Sequence, residues 1–281
     1  MSGLLRNLLL AAAGAMCLTT ALAAQDARAA WNAPQPPARL FGNVYYVGPR
    51  GVSAVLITAP GGHVLLDGAL PESVPGIVAG IRALGFRVED VKLILNSHVH
   101  YDHAGGIAEL QRLSGAAVAA TAASARVLES GRSGDDDPQF GELPEIARVT
   151  NVRVVKDGET LRVGELALTA HATGGHTPGG TSWSWRSCQD GRCLDLVYAD
   201  SLTAVSADGF KYSASPQALR AFERSFDTLA RLPCDVLLTP HAEASDLWNR
   251  LGAGTLVDPA ACRRYVEAAR TRLRTRLAAE K

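Results

Sequence analysis

Four side chains able to bind a metal fall within six residues, His98-Val99-His100-Tyr101-Asp102-His103, directly after the apolar run Val91-Lys92-Leu93-Ile94-Leu95. A run of that length bounded by polar residues reads as a buried strand, and Ala104 to Leu113 reads as the helix after it. The cluster therefore stands where a strand ends and a helix begins, the edge of an α/β sheet at which sites are usually built. His98 and His100 are two residues apart, so in extended backbone their imidazoles leave on the same side. Asp102 and His103 lie at the helix start, where the chain turns and can aim them elsewhere. One pair can then serve one ion and the other pair a second. A lone histidine is more often packed or solvated than bound to metal. Four such groups buried without partners would be costly, so a metal or catalytic site is the better account of the stretch.

The remaining pattern supplies the frame. Strands are predicted at Asn43–Val47, Ser53–Ile57, His63–Asp67 and Ala117–Ala119, after a Pro-rich loop from Trp31 to Pro37. Helices are predicted at Ser73–Leu84, with Val74, Ile77, Val78 and Ile81 on one face, and at Ala122–Leu128. A long stretch rich in Gly, Asp, Ser and Pro, Ser130 to Pro144, follows; loops of that length inside a domain are usually functional or disordered. Further strands read at Val152–Val155, Leu166–Ala170, Thr181–Trp185, Leu194–Tyr198 and Cys234–Thr239. Helices read at Pro216–Leu232, with Pro in the first turn, and at Pro259–Ala279, with Cys262, Val266, Ala269, Leu273 and Leu277 sharing a face. The many arginines of that last helix read as a solvated outer face. Two halves emerge, each with strands first and helices after, which predicts two sheets packed face to face with helices outside. No repeat and no low-complexity linker divides them, so residues 30–281 read as a single domain.

With 47% apolar residues in 281 there is ample material for a core, and 28 basic residues balance 28 acidic ones. No global field favours nucleic acid or an anionic membrane, and no basic stripe with interleaved aromatics is present. Residues 1–23 read as a cleaved export signal: Arg6, an apolar stretch from Leu8 to Leu22, and the small-x-small site Ala21-Leu22-Ala23, with a second candidate at Ala27-Arg28-Ala29. The expected product is soluble, periplasmic and monomeric. Cys188, Cys193, Cys234 and Cys262 then remain, an even count that suggests two disulfides with three possible connectivities. An Asp190-Gly191 turn between strand-like runs would pair Cys188 with Cys193 across a hairpin, leaving Cys234 with Cys262. Zinc-binding cysteines are the alternative, but a C-x4-C spacing suits zinc poorly.

His176 and His241 extend the cluster, each after a strand and in a Gly- or Pro-containing turn. His63 starts a strand and reads as surface; His171 reads as packing beneath the site without a ligand role. The set His98, His100, Asp102, His103, His176 and His241 resembles the metallo-β-lactamase superfamily. Within it, His103, the run His176-Thr-Pro-Gly-Gly-Thr-Ser-Trp183 and Ala199-Asp200-Ser201-Leu202-Thr203 resemble subclass B3 metallo-β-lactamases, with Ser201 where other subclasses place a zinc-binding cysteine.

That resemblance implies an αβ/βα four-layer sandwich and two Zn2+ ions. His98, His100 and His176 would hold the first, and Asp102, His103 and His241 the second. A hydroxide between the ions, oriented by Asp102, would attack a β-lactam carbonyl without a covalent intermediate. Ser201 and Thr203 would receive the substrate carboxylate, Gln139 and Phe140 would border the substrate, and Asp67 would brace the ligand loop by hydrogen bonding. Asp200 bridges both ions in relatives of the glyoxalase II type but not in subclass B3, and it is left outside the ligand set here. Two rival readings follow: a thioesterase or lactonase on the same fold, and an exported zinc-binding protein without turnover.

Overall fold

The computed structural model describes residues 26–281. The expected signal segment, residues 1–23, lies outside the described residues. Short runs rich in Val, Leu and Ile form strands whose two faces are both covered. In β3 (Val55–Ile57) and β4 (His63–Leu66) every residue is buried. Period-2 alternation sends Val55, Ile57, Val64 and Leu66 to one apolar cluster and Leu56 and Leu65 to another.

One sheet has seven strands in sequence order, β1 (Ala38–Phe41), β2 (Val44–Tyr46), β3, β4, β5 (Val91–Leu95), β6 (Ala117–Thr121) and β7 (Val152–Val155). It is antiparallel from β1 to β4 and parallel from β4 to β7. The second sheet runs β12 (Val236–Leu238), β11 (Arg192–Tyr198), β10 (Thr181–Gln189), β9 (Leu166–Ala172), β8 (Thr160–Val163). The sheets face each other across a core containing Tyr46, Ile57, Leu66 and Leu95 from the first and Leu168, Trp183, Tyr198 and Leu238 from the second. Helices Val74–Ala83, Ile107–Ser114 and Ala122–Ser130 cover the outer face of the first sheet. Helices Pro216–Arg231 and Ala261–Ala279 cover that of the second. Four layers result, α, β, β and α, as expected. No described helix is long and apolar enough to cross a membrane.

Several expectations need correction. The helix predicted over Ala104–Leu113 is broken, with one turn at Tyr101–Ala104 and a separate helix at Ile107–Ser114. The reason is close backbone approach: a Cβ on Gly106 would collide with the Gly68 carbonyl, so the chain passes there without side chains. His63 is buried rather than on the surface, edge-on to Phe86 at 5.1 Å, with its Nδ1 accepting the Ala59 N–H. His171 hydrogen-bonds Ser184 on the adjacent strand at 2.7 Å, a partner outside the histidine cluster. Strands β1 and β8 and the helix Leu247–Gly252 were not anticipated. Both disulfides form as the cysteine count suggested, Cys188–Cys193 directly across the β10–β11 hairpin and Cys234–Cys262 joining β12 to the last helix. That helix buries Cys262, Val266, Ala269 and Leu273, while Arg270 reaches Glu223 and Asp227 on the neighbouring helix.

Candidate metal centre

Strand ends converge on one edge of the sandwich. The β5 strand delivers His98 and His100, the β9–β10 connection His176, the end of β11 Asp200, and the end of β12 His241. Extended backbone at His100 (φ −68°, ψ 149°) gives way to the helical turn carrying Asp102 and His103. His98, His100 and His176 come together as one group, and Asp102, His103 and His241 as another, each with its ligand-type atoms within 4.8 Å of one another. All six residues singled out in the sequence are therefore brought to one place, in two sets of three.

Each imidazole of the first group is held from behind. His98 Nδ1 donates to Asp200 Oδ1 at 2.8 Å, and His176 Nδ1 donates to the Thr203 carbonyl at 2.8 Å. His100 Nε2 lies 3.3 and 3.4 Å from the two oxygens of Asp137. An imidazole tied through one nitrogen presents the other, and His98 Nε2 is buried with no partner. In the second group the facing atoms form a tight triangle. Asp102 Oδ2 lies 3.1 Å from His103 Nε2 and 3.3 Å from His241 Nε2, and the two nitrogens are 3.2 Å apart. A tetrahedral zinc with bonds of about 2.0–2.1 Å keeps its ligand atoms about 3.3 Å apart. The triangle fits such an ion.

Charge makes the same case. The buried aspartates among the described residues are Asp67, Asp102, Asp137 and Asp200, and no described lysine or arginine is buried. Four carboxylates gathered around histidines require positive charge, and two divalent cations would supply four units of it. Burial pushes the Asp200 carboxyl well above the usual range, and its Oδ2 has no partner. Burial, reinforced by neighbouring imidazoles, holds His98 and His176 well below the usual histidine range, so both present neutral lone pairs as metal ligands must. Asp102 is opposed by burial but held well below the usual carboxylate range by His103 and His241; burial lowers His241.

Asp67 sits at positive φ (60°) after β4 and is fully buried. It accepts the Ser97 N–H at 2.7 Å, the Ser97 hydroxyl at 2.6 Å and the Tyr198 hydroxyl at 2.8 Å, and so braces the loop that carries the histidines. Gly180 lets the Asp200 carboxylate approach, since any Cβ there would strike Oδ2. Asp200 is tied to Nδ1 of His98, opposite the unpartnered Nε2, and stands in neither group of three. Gln139 Nε2 lies 3.4 Å from His100 Nδ1, Phe140 is 52% exposed, and the Thr203 hydroxyl is 3.2 Å from His176 Nδ1. Ser201, next to Asp200 in the chain, is buried.

Two contributors carry no local signal in the sequence. Asp137 is one of three consecutive aspartates in a long loop, and only its contact with His100 sets it apart. Trp31 packs its ring 5.6 Å from His241, more than two hundred residues on, and 6.2 Å from Tyr101. A cavity of about 940 Å³ lies at the opposite ends of β4 and β5, around His63, Phe86, Arg87 and Lys92, away from both groups.

Comparison with known proteins agrees with this geometry. Residues 47–241 match the family model of the metallo-β-lactamase superfamily. The Rm3 metallo-β-lactamase is 59% identical with a TM-score of 0.89, covering 90% of this chain and 98% of that one. MEM-A1, a subclass B3 metallo-β-lactamase isolated from a soil metagenome library, is 53% identical with a TM-score of 0.87, covering 89% and 98%. Among curated proteins, the uncharacterized protein YobT of Bacillus subtilis is 31% identical over 137 residues, 47% of this chain, and the match spans 56% of its length. The chain belongs to the metallo-β-lactamase superfamily and, within it, stands with the subclass B3 enzymes.

Proposed function

We propose that the protein is a zinc-dependent β-lactamase that opens the amide bond of β-lactam antibiotics by direct hydrolysis. The observation that carries this reading is the pair of three-residue groups at one edge, with every outer nitrogen of the first group engaged. His98, His100 and His176 would hold one zinc, and Asp102, His103 and His241 the other. Zinc supplies Lewis acidity toward the lactam carbonyl and brings the pKa of water down to ~7.

The chain's own residues do the rest. Asp102 would accept a hydrogen bond from the attacking water and set its direction. Ser201 and Thr203 would donate to the carboxylate that penicillins, cephalosporins and carbapenems share. Gln139 and the exposed ring of Phe140 would border the remainder of the substrate. With activated water as the nucleophile no serine attack would be needed, so hydrolysis would proceed without an acyl-enzyme.

Residues 1–23 would direct export, so that the mature monomer meets the drugs in the periplasm. The measurement that tests the activity is hydrolysis of imipenem and nitrocefin by purified protein at saturating zinc, with and without chelator. Turnover abolished by chelator and restored by zinc is expected. Inert β-lactams with a cleaved thioester or lactone would favour the thioesterase or lactonase reading instead. Zinc uptake with no hydrolysis of any of these would leave a metal-binding protein.

A further inference from the structure

His100 is tied down differently from its two partners. His98 and His176 are engaged through Nδ1, which leaves Nε2 for an ion, whereas His100 has a carboxylate at Nε2, which leaves Nδ1, 3.4 Å from Gln139 Nε2. That carboxylate belongs to Asp137, which is 3% exposed and sits in the loop between helix Ala122–Ser130 and β7. An acceptor at Nε2 keeps the imidazole proton there and leaves the lone pair on Nδ1.

The loop is not an isolated strap. The Pro138 carbonyl accepts the Ala207 N–H at 2.9 Å, and Glu142 accepts the Asp208 N–H at 2.9 Å. The segment it meets runs on from Thr203, whose carbonyl holds His176. One pair of joined loops thus controls the ring orientation of two of the three histidines.

We infer that Asp137 is a positioning residue that selects the Nδ1-presenting form of His100 for the first metal. The inference rests on the two-zinc reading above. A purely structural role is the rival, because Asp137 Oδ1 also accepts the Gln139 N–H at 2.8 Å and so closes a local turn. The two roles separate in Asp137→Asn. Its amide oxygen, at the Oδ1 position, can still accept the Gln139 N–H, but its NH2 replaces the Oδ2 that lies nearest His100 Nε2, and a donor there favours the form protonated at Nδ1, which cannot bind an ion through that nitrogen.

The test compares wild type, Asp137→Asn and Asp137→Ala by zinc content, chelator competition, the cobalt(II) absorption spectrum and metal-free melting temperature. Asp137→Asn should melt within a few degrees of wild type without metal, bind its first zinc about 10–100-fold more weakly and show an altered cobalt spectrum. Wild-type zinc affinity and an unchanged cobalt spectrum in Asp137→Asn would overturn the inference. Asp137→Ala adds the loss of the turn, and if it does not fold, the asparagine variant decides alone. Wild-type protein that takes up no metal would overturn the two-zinc reading and this inference with it. Two metals in wild type with an indifferent Asp137→Asn would overturn only the latter.

Discussion

The two groups of three differ in how firmly they are held. In the first, His98 is completely buried and each outer nitrogen meets an oxygen, from Asp200, Asp137 and the Thr203 backbone. In the second, His103 Nδ1 is buried with no partner, and the His241 side chain is 33% exposed and leans on Trp31. A ligand fixed before the ion arrives loses little freedom on binding, while a mobile one must be ordered first. The first group is therefore the preorganised site and the second the adaptable one.

The strongest way to break this asymmetry is to remove one ligand from each side. His176→Ala should lower β-lactam turnover by at least about 100-fold, because a bound metal contributes several kcal/mol of charge stabilisation in the transition state. His241→Ala should instead keep one tightly bound zinc. Metal content and steady-state kinetics on both variants check this. Equal loss of both metals from either variant would mean that the groups fill as one unit and that the contrast is empty.

Next in size is the support behind His98. Burial makes the Asp200 charge costly in metal-free protein, and the Asp67 carboxylate adds to that cost, against the Ser201 N–H and the His98 imidazole alone. Asp200→Asn should therefore leave the metal-free protein as stable as wild type or more so, while weakening zinc binding about 10–100-fold. The two effects have opposite signs, which a general folding defect would not produce. Urea midpoints without metal and chelator competition with it measure each separately.

How much of this asymmetry a reader of the sequence can see depends on distance along the chain. His98 to His103 are legible because four ligand types crowd into six residues after an unmistakable strand. His176 and His241 are legible because each follows a strand and stands in a turn. The four layers follow from apolar runs long enough to be covered on both faces. The supports are harder. Asp137 reaches His100 across 37 residues from a loop with two other aspartates beside it, and no local pattern distinguishes the three. Asp200 could be placed but not oriented, since only the position of Gly180 decides where its carboxylate fits. Strands β1 and β8 carry weak signals because they are four-residue edge strands with an arginine on an open face. His63 misled because a polar residue at a strand start is normally wet, and here Phe86 covers it.

The smallest effect tests whether the firm side of the comparison is held from as far away as the chain's end. The segment that carries Thr203 is clamped by the last helix. Tyr265 donates to the Asp200 carbonyl, and Arg276 donates to Ser206 and to the Phe210 carbonyl. Glu280, its side chain 5% exposed, accepts from Arg276 at 2.7 Å and from the Tyr212 and Ser213 N–H groups at 3.1 and 2.7 Å. Burial opposes its ionisation, but these donors outweigh that and bring its carboxyl from the usual 4.5 to about 2. A carboxylate lowered in the folded state stabilises fully above its unfolded value and loses that contribution as pH falls through the folded one. Glu280→Gln should therefore cost about 1.5 kcal/mol at pH 7, the low end for one hydrogen bond to a charged group. The gap between variant and wild type in urea midpoint should narrow from pH 4.5 downward. If the clamp reaches the metal site, zinc affinity at the first group should fall slightly, by less than the Asp200 change, with the second group unmoved. A gap independent of pH, or a change confined to the second group, would detach the last helix from the first site.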